Sequence, residues 1–97
     1  MKREEQLLII LMEECAELAQ RASKALRFGL DEIEPGQELS NSERLDLEFN
    51  DLVSVAAMLR NEKQVFKKYN WDLRDAKVQK VEKYLDYSRQ LGILDVE

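Results

Sequence analysis

Apolar residues recur at helical rather than strand spacing along most of the 97-residue chain. Leu7, Leu11, Leu18, Ala22 and Ala25 share one face of a 3.6-residue period and predict a long helix over residues 4–28, which Gly29 is placed to stop. Residues 29–42, GLDEIEPGQELSNS, hold two of the three glycines and the only proline, and read as a loop with at most a short turn. Asn41 or Ser42 is placed to cap a second helix over residues 43–61, in which Leu45, Leu52, Val55, Ala56 and Leu59 face one side. Residues 62–71 give no clear period. Asp72 is placed to cap a third helix running to about Leu91, with Val78, Val81 and Leu85 inward and Gly92 at its end. The tail Asp95-Val96-Glu97 reads as mobile.

The pattern predicts an all-α fold: a small antiparallel helical bundle of three main helices, with room for extra short ones. At 97 residues it is expected to be a single domain over 1–97. A core this small is expected to be completed by oligomerisation. Charged residues make up 36% of the chain and β-branched residues are few, which also favours helix.

Charge and cysteine content narrow the function classes. The net charge of −5 gives no basic excess to track a phosphate backbone, so a nucleic-acid polymer is not an expected partner. Cys15 is the only cysteine, which excludes an intramolecular disulfide and suits a reducing cytoplasm. The apolar run from Leu7 to Met12 is too short to span a membrane, and no signal peptide or membrane partner is expected. There is no histidine, which removes Ser-His-Asp triads, Cys-His pairs and His-based zinc or di-iron sites. Any catalysis falls to carboxylates, Lys, Tyr, Cys or a metal.

Four carboxylates are candidates for that chemistry. With Glu14 at zero on a helical wheel of about 100° per residue, Leu7, Leu11, Leu18 and Ala25 fall between roughly 20° and 60°, and Glu17 near −60°. The second helix repeats the arrangement. Leu45, Leu52 and Leu59 flank Glu48, and Asp51 takes the place of Glu17. Leu11-Met12-Glu13-Glu14-Cys15-Ala16-Glu17-Leu18 and Leu45-Asp46-Leu47-Glu48-Phe49-Asn50-Asp51-Leu52 thus share one pattern, Leu-x-x-Glu-x-x-acid-Leu. Glu5, Glu13, Asp46 and Glu62 fall on the solvated side.

Four carboxylates facing a core need compensating cations. Lys and Arg could serve. Oxygen donors without His or thiolate suit Mg²⁺, with Mn²⁺ as a substitute, and the i, i+3 spacing lets each helix offer two ligands to one cluster. Such a centre binds polyphosphate and activates water, so the expected reaction is phosphoanhydride hydrolysis. On the third helix Lys77 and Lys80 are candidate phosphate contacts, and Tyr84 and Trp71 are candidates to stack on a base.

Glu13-Glu14-Cys15-Ala16-Glu17-Leu18 followed by Glu48-Phe49-Asn50-Asp51-Leu52 resembles the signature of the MazG-like superfamily of all-α NTP pyrophosphohydrolases, which carries EExxE on one helix and ExxD on a later one. Lys77-Val78-Gln79-Lys80-Val81-Glu82-Lys83-Tyr84 resembles its basic stretch more loosely. Ala16 and Asn50 stand where that family commonly has Gly. The resemblance covers residues 5–88. It implies Mg²⁺-dependent cleavage of an NTP or dNTP to the monophosphate and pyrophosphate, with Glu14, Glu17, Glu48 and Asp51 as metal ligands and catalytic groups. It further implies a homodimer or tetramer whose pocket is completed across subunits. The competing expectations are a phosphoribosyl-ATP pyrophosphohydrolase and a non-enzymatic helical interaction module.

Overall fold

A computed structural model describes residues 1–95, so Val96 and Glu97, the end of the tail expected to be mobile, lie outside the described residues. Three helices form, α1 (Arg3–Phe28), α2 (Asn41–Lys63) and α3 (Trp71–Gln90), and no strand or extra short helix occurs among the described residues. No helix is long and apolar enough to cross a membrane. The chain divides into two compact units, Met1–Lys67 and Lys68–Glu97.

In the first unit α1 and α2 pack against each other as an antiparallel hairpin. The register is marked at the open end by Arg3, whose Nε and Nη2 donate to the two carboxylate oxygens of Glu62 at 2.8 and 3.2 Å. This register sets Leu7 level with Leu59, and these are the two fully buried apolar side chains among the described residues, 6% and 1% exposed. Leu11, Leu18, Leu45, Leu52, Val55 and Ala56 are half-buried, as the apolar faces predict, whereas Ala22 is exposed.

The ends of the helices correct two expectations. The cap of α2 is neither Asn41 nor Ser42 but Ser40. Its hydroxyl accepts from the Glu43 amide at 3.2 Å, and the Glu43 carboxylate accepts from the Ser40 amide at 3.1 Å, a full capping box. The cap of α3 is Asn70, whose Oδ1 accepts from the amides of Asp72 and Leu73; Asp72 lies inside the first turn. Gly29 ends α1 at φ 98°, a conformation that a Cβ would strain, and its amide closes on Ala25 O at 2.8 Å.

The connection 29–40 is tied down by backbone bonds. The Gln37 amide donates to Glu34 O, the Asn41 amide to Glu32 O and the Ser42 amide to Leu30 O, at 2.9, 3.0 and 2.9 Å. Asn41, 2% exposed, is the buried polar residue that locks this loop to α2. Its Nδ2 donates to Gly29 O and to Glu32 Oε1, both at 2.9 Å. Both neighbours are acceptors only, so the orientation of the amide is dictated by chemistry.

The second unit contains the single helix α3, which has no other helix of that unit to pack on. Val78, Val81 and Leu85, expected to face inward, are exposed.

Candidate metal centre

The hairpin brings the two acidic motifs together. One carboxylate oxygen from each of Glu14, Glu17 and Glu48 lies within 4.8 Å of the others. Glu14 and Glu48 are half-buried and Glu17 is exposed, as expected for two positions inside the apolar faces and one at the edge. Asp51, one turn beyond Glu48 on α2, is exposed and outside this set of three, yet its charge reaches both Glu14 and Glu17.

The electrostatics are those of an uncompensated cluster. The Glu14 carboxyl is held above its ordinary range, first by burial and then by the negative charges of Asp51, Glu48 and Glu13. The Glu17 carboxyl is also raised. The charges of Glu14 and Glu48 lead, followed by the close approach of the Glu48 carboxyl, burial, and Asp51. Glu14 Oε2 and Glu48 Oε2 are buried with no hydrogen-bond partner. A polar atom removed from water without a partner is costly, so native structures fill such positions with a donor, a water or an ion.

The donor set fits a hard divalent cation. Three carboxylates from two helices supply oxygen only, and two of them present orphaned oxygens. Oxygens shared by one Mg²⁺ at about 2.0–2.1 Å lie at most about 4.2 Å apart. The three oxygens, within 4.8 Å of one another, would be drawn closer by a shared ion, to about 2.9 Å for neighbouring positions of its octahedron.

Arg21 is a residue the sequence reading passed over. It is half-buried on α1, one turn beyond Glu17, and its Nε and Nη1 are buried without a partner. Its spacing was the available signal, since position 21 continues the 3–4 ridge that begins at Glu14 and Glu17.

The other candidates lie on α3, in the second unit. Lys77, Lys80 and Tyr84 are exposed there. Trp71 is engaged by its own neighbourhood. Tyr69 meets it edge-on at a centroid distance of 5.4 Å, and the Arg74 guanidinium stands 5.7 Å from its ring centre. Cys15 is exposed and has no histidine to activate it.

Comparison with protein-family models, with curated proteins and with solved structures returns no match.

Proposed function

We propose that the chain is a Mg²⁺-dependent nucleoside triphosphate pyrophosphohydrolase of the MazG-like kind, releasing a monophosphate and pyrophosphate from an NTP or dNTP. The observation that carries this reading is the convergence of Glu14, Glu17 and Glu48 from two helices, with two buried carboxylate oxygens left without partners. In this reading Glu14, Glu17 and Glu48 are the metal ligands, and Asp51 completes the acidic centre. Bound Mg²⁺, or Mn²⁺ in its place, would neutralise the polyphosphate and acidify a water. The chain's own part is to hold the carboxylates in register through the α1–α2 hairpin. A carboxylate of the cluster not committed to the cation would take the water's proton. Lys77, Lys80, Tyr84 and Trp71 remain proposed substrate contacts from the sequence pattern.

A homodimer or tetramer is part of the same proposal. Only Leu7 and Leu59 are fully buried apolar residues among those described, while Ile9, Met12, Phe49 and Val53 of the hairpin are exposed. So little burial favours a second copy covering the hairpin.

The test is incubation with canonical and modified NTPs and dNTPs, with and without Mg²⁺, resolving mono- from diphosphate products. Magnesium-dependent monophosphate plus pyrophosphate is expected. Glu48→Gln and Asp51→Asn should lose most of the turnover while remaining folded. Unchanged turnover in both variants would remove the proposed site. No turnover, together with no thermal response to Mg²⁺, would favour the helical interaction module.

A further inference from the structure

One cavity of the first unit has no role in the acidic centre. It measures about 260 Å³ and is lined by Lys24, Phe28, Glu32, Glu34, Pro35 and Asn41. It lies where the end of α1 meets the connection 29–40 and the start of α2. Pockets for drug-sized ligands run about 300–1,000 Å³, so this one has room for a ring system rather than a whole nucleotide. Its walls suit a planar group. Phe28 lines the cavity and is 57% exposed, an aromatic surface open to a second ring, with the Arg27 guanidinium also over the ring at 5.1 Å from its centre.

The cavity is joined to the acidic centre by a continuous ridge of α1. Glu14, Glu17, Arg21, Lys24 and Phe28 follow each other at spacings of three and four, and so lie on one face. At 1.5 Å per residue, Arg21 is about 6 Å, Lys24 about 10 Å and Phe28 about 16 Å along the axis from Glu17. The order along the ridge is carboxylates, two cations, then an aromatic wall. An extended nucleotide has the matching order of metal-bound phosphates, further phosphates, sugar and base. Arg21 has a guanidinium whose buried Nε and Nη1 lack any acceptor. Its planar fork matches phosphate oxygens better than a point charge does.

The polar rim of the cavity is rich in acceptors. Asn41 spends its Nδ2 on Gly29 O and Glu32 Oε1, which leaves Oδ1, an acceptor, as its only free group. Glu32 Oε1 takes that bond and Glu34 Oε2 takes one from Arg44 Nη1 at 3.2 Å; the second oxygen of each carboxylate has no hydrogen-bond donor among the described residues. Apart from Lys24, which the ridge places toward the phosphates, such a rim accepts hydrogen bonds from an exocyclic amine and disfavours a keto oxygen.

We propose that this cavity holds the base of the nucleotide, that it selects amino-bearing bases (adenine, cytosine) over their keto counterparts, and that Arg21 contacts the phosphate chain between base and metal. The assignment rests on the pyrophosphohydrolase reading for the direction in which the nucleotide lies.

The test is equilibrium titration of the full chain, without metal, with AMP, IMP, CMP and UMP. Each pair exchanges an exocyclic amine beside an accepting ring nitrogen for a keto oxygen beside a ring N–H, so the comparison reads whether the rim faces the exocyclic group. AMP is expected to bind more tightly than IMP, and CMP more tightly than UMP, by about five- to hundredfold, the range of a well-made base contact. Phe28→Ala should weaken AMP by at least about fivefold, the low end for loss of a stacking ring, and Phe28→Tyr should restore it. Arg21→Gln should weaken AMP and leave adenosine unchanged. Equal affinity within each pair, no saturable binding of any monophosphate, or an Arg21→Gln chain that binds AMP as the parent does would overturn the assignment. A thermal melt with Mg²⁺ alone, on the parent and on Phe28→Ala, separates the two readings. No Mg²⁺ response with AMP binding retained overturns the carboxylate reading and leaves the base cavity standing.

Discussion

Asn41 joins the fold to the proposed base cavity, and its replacement should be felt in both. Its Nδ2 is the donor for Gly29 O and for the Glu32 carboxylate, each at 2.9 Å, and the residue is 2% exposed. Asn41→Ala removes both donors. A neutral hydrogen bond is worth about 0.5–1.5 kcal/mol net and one to a charged group about 1.5–3 kcal/mol, so the loss should be about 2–4.5 kcal/mol. Water reaching the Glu32 oxygen would bring the value to the low end. At about 4–8 °C per kcal/mol for a domain of this size, the melting temperature should fall by at least about 8 °C. Asn41→Asp keeps the volume but places a third acceptor against two others, one of them a carboxylate. At neutral pH it should melt below Asn41→Ala, and part of the difference should return in acid, where a protonated carboxyl can donate. Circular dichroism melts of the three chains at matched concentration measure both effects. An Asn41→Asp chain that melts with the parent at neutral pH would refute the donor role and the accounting built on it.

Other outcomes follow from the same geometry. The raised carboxyls of Glu14 and Glu17 make the metal-free fold bind protons more tightly than the unfolded chain. Their contribution to stability is therefore complete below the ordinary carboxylate range and is lost as pH rises through the raised values. Glu62 has the opposite sign, because Arg3 holds its carboxyl low and its contribution is lost only as pH falls further. Melts of the metal-free protein should thus decline on going from mild acid to neutral pH, and Glu14→Gln with Glu17→Gln should flatten that decline; an unchanged slope would show the cluster to be already compensated. Leu59→Ala should cost about 2–5 kcal/mol in a denaturant titration, because Leu59 is 1% exposed in a hairpin with so few buried apolar residues. Ser40→Ala should cost about 1 kcal/mol by the same titration, whereas Ser42→Ala should cost much less.

The helices were legible because their period is carried by many residues at once, from Leu7 to Ala25 and from Leu45 to Leu59. The caps were not, because several Asn, Ser and Asp side chains compete within a few positions. Around α2 the deciding residue was Glu43, which completes a capping box with Ser40 and with neither Asn41 nor Ser42. Glu14, Glu17 and Glu48 were readable as a cluster because the i, i+3 pattern places them beside apolar stripes that must meet. Arg21 and the cavity at Phe28 were harder to see. Arg21 had only its spacing to mark it, and the cavity is made by the closure of a loop with no period, through bonds such as Asn41 to Gly29 O. Val78, Val81 and Leu85 show the limit of periodicity, which marks an apolar stripe without saying what covers it.

Glu14, Glu17 and Glu48 are proposed to hold a divalent cation. The most direct measurement is a melt of the parent and of Glu48→Gln across a Mg²⁺ titration at neutral pH, in which folded-state binding appears as a rise with concentration. At one hundred times the dissociation constant the parent should gain about 2.7 kcal/mol. Glu48→Gln should melt higher than the parent without metal, since one repelling charge is gone, and should show little further rise with it. A parent that does not respond to Mg²⁺, or a Glu48→Gln chain that responds as fully as the parent, would contradict the claim.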